Sequence, residues 1–160
     1  MDLYISQRVR IAPESVDPTV KNYHWLDLVQ SLFDAYDGGH DTSCVVDTAG
    51  NIAEGPGFNL FVVKSGSVPT PGRCVLHGIS RQTALELCTR LGIAAQVGPV
   101  TQDALREADE VFITSTAGGV MPVSKVNGVA LAGFPGPVTQ RIHAAYWAMH
   151  DEAAYRDAVY

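Results

Sequence analysis

A chain of 160 residues with 46% hydrophobic content suffices for one compact domain with a sizeable core. Its net charge of -6 repels phosphate backbones and argues against a nucleic-acid partner; no apolar run reaches the length of a bilayer span, which argues against a membrane protein. The amino terminus, MDLYISQRVR, has no basic region followed by an apolar one, so no secretory signal is expected and a cytoplasmic location is.

The three cysteines, Cys44, Cys74 and Cys88, are odd in number and spaced for neither a zinc site nor a disulfide framework. They read as reduced, partly buried thiols. None of His24, His40, His77, His143 and His150 pairs with another ligand at metal spacing, so no structural metal is expected.

In chain order, Leu3 to Ile11 alternates apolar and polar residues and predicts a half-buried strand. Residues 12–17 form a turn near Pro13 and Pro18. From about Tyr23 to Tyr36, apolar Trp25, Leu26, Val29, Leu32, Phe33 and Tyr36 recur at three-to-four spacing, the pattern of an amphipathic helix that Gly38-Gly39 ends. Lys21 thus falls just before a helix start. Residues 44–47 and 52–54 flank a turn at 48–51, and Phe58 to Val63 is a further strand.

A tight turn at 65–67 follows. Ser80 is expected to cap a helix over 81–91 that Gly92 stops. A short strand over 93–97, a Thr101-capped helix over 102–108 and a buried strand over 110–114 come next. Val120 to Leu131 holds a hairpin around Asn127-Gly128, and Gly136-Pro137 opens a last helix, 138 to about 151. Hairpins interleaved with three to four helices predict an α+β or mixed α/β domain rather than a doubly wound parallel sheet. No repeat, low-complexity segment or internal boundary is visible, and the tail YRDAVY has no linker character. Residues 1–160 read as a single domain.

Four positions can carry chemistry. Lys21 beside Tyr23 and Trp25 fits a solvated surface lysine as well as a carbonyl-attacking amine that its neighbours desolvate. Glu54, between a strand end and Gly55 and Gly57, fits a loop glutamate or a carboxylate aimed at a pyridine nitrogen. Leu76 to Arg81 runs into a helix whose free N–H groups and dipole suit an anion, or are an ordinary capped start. Thr114 to Gly119, hydroxyls followed by small residues, suits phosphate or carboxylate, or is a plain strand connection.

Together, Lys21, Glu54-Gly-Pro-Gly-Phe-Asn59, Gly78-Ile-Ser-Arg81 and Thr114-Ser-Thr-Ala-Gly-Gly119 resemble, in order, the motifs of the class IV, fold type IV, pyridoxal-phosphate aminotransferases. DPTVKN, EGPGFN, STAGGVMPV, GPVTQRI and YWAMHDEAAY resemble most closely the (R)-selective amine transaminases of that family. The resemblance implies the cofactor-binding domain of the D-amino-acid aminotransferase-like fold and a homodimer. It implies transfer of an amino group between a primary amine or amino acid and a keto acid. Branched-chain or D-amino-acid aminotransferases and an aminodeoxychorismate-lyase-type enzyme are the alternatives. Lys21 would carry pyridoxal 5'-phosphate and move the substrate proton. Glu54 would face the ring nitrogen. The Ile79 and Ser80 N–H groups and the Ser115 side chain would hold the phosphate, and Tyr23, Trp25, Thr116 and Ala117 would line the substrate pocket.

Two local departures from the family pattern are Pro56, in place of a small residue such as Ser, and Ser80, in place of the usual Thr. The chain is also expected to lack the family's N-terminal domain, which supplies an arginine clamp for the phosphate.

Overall fold

The opening alternation becomes β1 (Asp2–Val9) in a computed structural model that describes residues 1–155. β1 pairs in parallel with β2 (Thr42–Val46), and α1 (Leu26–Asp37) is the crossover that a parallel pair requires. On its other side β1 pairs with β8 (Lys125–Val126), which turns into β9 (Val129–Ala130). Asn127 and Gly128 make that turn at φ of 49° and 78°, as the Asn-Gly pair predicts.

A second sheet is antiparallel in the order β3 (Asn59–Val63), β6 (Glu110–Ser115), β7 (Gly119–Val123). A third pairs β4 (Val68–Pro71) in parallel with β5 (Ala95–Gly98) across α2 (Ile79–Arg90). Thr101 caps α3 (Gln102–Arg106) by accepting the Ala104 N–H at 3.0 Å. α4 (Pro137–Met149) starts with proline in its first turn, and the buried Glu110 carboxylate accepts its Val138 and Thr139 N–H groups at 3.0 and 2.7 Å. A 3-10 turn, Ala153–Tyr155, follows.

β3 and β6 are apolar runs because both their faces are covered. Leu60, Val62 and Ile113 face Leu3 and Ile5 of the first sheet, whereas Phe61, Val63 and Phe112 face Leu87 and Cys88 of α2 and Ile142 of α4. The Phe61 and Phe112 rings stack at 4.6 Å. All three cysteines are free and buried, and burial pushes the Cys44 thiol up to about 12. Among the described residues no helix is long and apolar enough to cross a membrane.

Several expectations are corrected. α1 begins at Leu26, not Tyr23, because the Asn22 Oδ1 accepts the His24 N–H at 2.9 Å in a turn ahead of it. Its buried face is Leu28, Ser31 and Ala35, while Leu26, Phe33 and Tyr36 of the expected core face are 68%, 58% and 55% exposed. The buried face packs on β2 through the Ser31 and Ser43 hydroxyls at 2.8 Å. α2 starts at Ile79 with Gly78 as N-cap, so Ser80 lies in its first turn and is not the cap. The return arm after the 48–51 turn pairs with β2 by a bridge between Val46 and Ile52, and the expected hairpin continues as the Ala53 N–H donates to the Val45 carbonyl at 2.9 Å and the Val45 N–H to the Glu54 carbonyl at 3.0 Å. α3 stops at Arg106 rather than at 108, and after the turn at 65–67 Val68 opens a strand that the sequence did not predict. Of the tail YRDAVY, only Tyr155 falls within the described residues.

Candidate active site

A cleft opens where the segments around Lys21, Glu54, Ser80 and Ser115 meet. Glu54 forms its floor, 6% exposed. One carboxylate oxygen accepts the Arg10 Nε–H at 3.2 Å and the other accepts the Leu76 N–H at 2.8 Å. Arg10, itself buried, also donates through Nη1 to both Asp27 oxygens at 2.8 and 3.1 Å. Burial pushes the Glu54 carboxyl up, against the pull of the Leu76 N–H and of Arg10. Burial pulls Arg10 down, but its two carboxylate partners outweigh that and hold it above its ordinary value. With Glu54 ionised, one guanidinium serves two carboxylates. The cluster then carries one net negative charge, and the Glu54 carboxylate in the cleft lining is suited to a protonated nitrogen.

The same glutamate reaches the segment that leads into α2. It holds the Leu76 N–H, and the Asn59 amide donates to the Leu76 carbonyl at 2.8 Å. The Leu76 residue is thus clamped from both sides, which fixes where α2 begins. Gly78 is needed there because a Cβ would lie 2.5 Å from Asn59 Oδ1. The Ile79 and Ser80 N–H groups lie in the first turn of α2, where N–H groups have no intrahelical acceptor, and the helix dipole adds positive potential. Across from them Ser115 Oγ accepts the Gly118 N–H at 3.2 Å, which leaves its proton free to donate.

Two further residues, Arg81 and Thr114, line the cleft. Arg81 Nε and Thr114 Oγ1 are buried without a hydrogen-bond partner among the described residues. Arg81 gives one bond to the Pro71 carbonyl at 3.0 Å, and burial lowers its pKa. A cleft lined by the start of α2 with its free N–H groups, by Arg81 and by the Glu54 carboxylate suits a phosphate joined to a protonated aromatic nitrogen.

The family model for class IV amino-transferases matches residues 1–126. This chain belongs to the class IV aminotransferase family. A branched-chain-amino-acid aminotransferase of Pseudomonas aeruginosa is 37% identical over 128 residues, which are 79% of this chain and 42% of that protein. The Escherichia coli enzyme of that name is 36% identical over 155 residues, 93% of this chain and 50% of the relative. A crystal structure of the Escherichia coli enzyme superposes with a TM-score of 0.92 at 32% identity, covering 99% of this chain and 55% of that one. The T.th. branched-chain enzyme with pyridoxamine 5'-phosphate gives 0.89 at 30% identity, covering 96% and 53%. The chain therefore spans about half the length of the relatives it matches, and its mixed α/β fold is theirs.

In this class IV chain the structure gathers Lys21, Trp25, Glu54, Ile79, Ser80, Ser115 and Thr116 around the cleft. Lys21 is exposed at the rim, its Nζ 5.8 Å from the centroid of the Trp25 ring. Lys64 and Lys125, the other two lysines of the chain, do not line the cleft. Two residues of the sequence reading are not brought in. The Tyr23 side chain points to solvent, 102% exposed, and Ala117 is exposed in the turn between β6 and β7; neither lines the cleft.

Sequence reasoning missed Arg10 and Asp27 and gave no individual role to Asn59 and Arg81, whereas Thr114 stood in the hydroxyl-rich turn already singled out for an anion. Asn59 and Arg81 stood inside the motifs, but their roles are contacts to other segments. Arg10 was hidden by a register shift in β1 between Ile5 and Val9. The shift moves Val9 outward, 49% exposed, and turns Arg10 inward, 5% exposed.

Proposed function

We propose that this chain is the cofactor-holding part of a pyridoxal-phosphate transaminase, which moves an amino group between an amino acid or primary amine and a keto acid. The observation that carries the reading is that Lys21, alone among three lysines, lines a cleft shared with the buried Glu54 carboxylate and the first turn of α2. Bound pyridoxal 5'-phosphate would supply an electron sink for charge developing at the substrate carbon.

The chain's own residues have distinct tasks. The Ile79 and Ser80 N–H groups and the Ser115 hydroxyl hold the phosphate, with Arg81 and Thr114 behind them. Glu54, oriented by Arg10 and Leu76, keeps the ring nitrogen protonated. The Lys21 amine would hold the cofactor and would move a proton at the substrate carbon. Trp25 and Thr116 flank the substrate, and Tyr23 and Ala117 stand just outside on the same two segments.

The matched branched-chain relatives support amino-acid donors, and the segments DPTVKN and STAGGVMPV support primary amines. The test offers L-leucine and an (R)-configured primary amine with and without 2-oxoglutarate. Amino transfer is expected only with the keto acid present. The amino donor alone should give at most one keto product per bound cofactor; repeated release of pyruvate from an aminodeoxychorismate-type substrate without a keto acid would favour the lyase reading, and no turnover of either kind would count against both.

The outward apolar residues of α1, Leu26, Phe33 and Tyr36, support pairing with a second copy. Sedimentation equilibrium is expected to show a dimer that Phe33→Glu weakens. A strictly monomeric wild type would refute the pairing.

A further inference from the structure

The sequence segment YWAMH on α4 has no part in the site so far, yet one of its residues touches both walls of the anion-binding end. The Tyr146 hydroxyl lies 3.3 Å from Ser80 Oγ in the first turn of α2. Its ring covers Gly119, where a Cβ would sit 2.5 Å from the ring atom Cε1. Gly119 pairs with Ser115 across the turn between β6 and β7, at a φ of 62°. One half-buried side chain therefore bridges the two segments that present Ser80 and Ser115, while itself lying outside the cleft lining.

The ring is held by its own surroundings. It packs on the core beneath α2 and α4, meets Trp147 edge-on at 5.6 Å and contacts His150 at 5.3 Å. Its hydroxyl is thus brought to Ser80 by a ring with neighbours on several sides. A serine hydroxyl has one proton and two lone pairs and turns freely when nothing fixes it. If the tyrosine donates to Ser80 Oγ, the serine proton is left to point at an anion rather than back at a helix carbonyl.

We propose that Tyr146 is a positioning residue for the phosphate end of the cleft, acting through the Ser80 hydroxyl and the Gly119 turn. This rests on the reading of that end as the phosphate site. It gives α4 a function beyond covering the core, and it predicts a dependence on the phosphate group alone.

The test is equilibrium dialysis of the chain against pyridoxal 5'-phosphate and against pyridoxal, which has no phosphate. Wild type is expected to prefer the phosphorylated form. Tyr146→Phe, which keeps the ring, is expected to weaken it about 3- to 10-fold, the loss of one hydrogen bond. Pyridoxal binding should change less than about 2-fold on the same basis. In a Ser80→Ala background the tyrosine substitution should have no further effect. Equal weakening of both ligands, no weakening of either, or additive losses in the Ser80→Ala background would overturn the proposal and leave the phosphate reading standing. A wild type without preference for the phosphorylated form would overturn the phosphate reading and this proposal with it.

Discussion

Glu54→Gln is expected to lower amino-group transfer roughly 10²- to 10³-fold, the size of effect seen when one well-placed electrostatic group is removed from a reaction centre. The melting temperature should move little. The glutamine amide oxygen can still accept the Leu76 N–H, so the clamp on the start of α2 survives. Arg10 keeps its two bonds to Asp27, and the cost of burying the Glu54 charge disappears. The lost Arg10 contact and the relieved burial offset each other to within about 1–2 kcal/mol. What the variant removes is the charge proposed to hold a ring nitrogen protonated. Steady-state rates and a thermal melt on one preparation check both halves. A large fall in melting temperature, or an unchanged rate, would mean that Glu54 serves the fold and not the chemistry.

Arg10→Leu should do the reverse and act first on stability. It leaves Glu54 and Asp27 as buried carboxylates without their shared cation. Breaking a buried ion pair from one side costs about 3–5 kcal/mol, which for a chain of this size is roughly 6–20 °C in melting temperature. The loss should depend on pH with a definite sign. Burial already raises the Glu54 carboxyl, against the opposing effect of Arg10, and without the arginine it rises further. A carboxyl whose folded pKa is raised favours the folded state at low pH and loses that contribution as pH climbs through the raised value. The deficit of Arg10→Leu should therefore be smallest in the ordinary carboxylate range and grow toward neutral pH. Melts of both proteins across that interval check it. A deficit that shrinks with rising pH would contradict the charge assignment.

The four chemistry-bearing segments were legible in the sequence because each is a local pattern: a lysine before a helix, glycines around a glutamate, a glycine-led helix start and a hydroxyl-rich turn. What links them was not. The bonds from Glu54 and Asn59 to Leu76 span 22 and 17 residues, and nothing in either segment names its partner. Arg10 was missed because alternation assumes an unbroken strand, and β1 shifts register before it.

The helices show the same limit. Periodicity located α1 but assigned the wrong face to the core: the buried face carries Leu28, Ser31 and Ala35, while Phe33 and Tyr36 point outward. Hairpin signals were read correctly at Asn127-Gly128. The parallel pairs β1–β2 and β4–β5 escaped because their pairing runs across the intervening helices α1 and α2. Placing Ser80 as a cap followed its residue type, whereas the clamp on Leu76 starts α2 two residues earlier.

Lys21 is the residue proposed to bind the cofactor covalently. The visible absorption spectrum of the chain after mixing with pyridoxal 5'-phosphate and desalting tests it most directly, for wild type and Lys21→Ala side by side. The account predicts a yellow band that survives desalting in the wild type and is missing in the variant. A band retained in Lys21→Ala, with the pyridoxyl label on Lys64 or Lys125 after borohydride reduction, would contradict it, as would a wild type that retains no band.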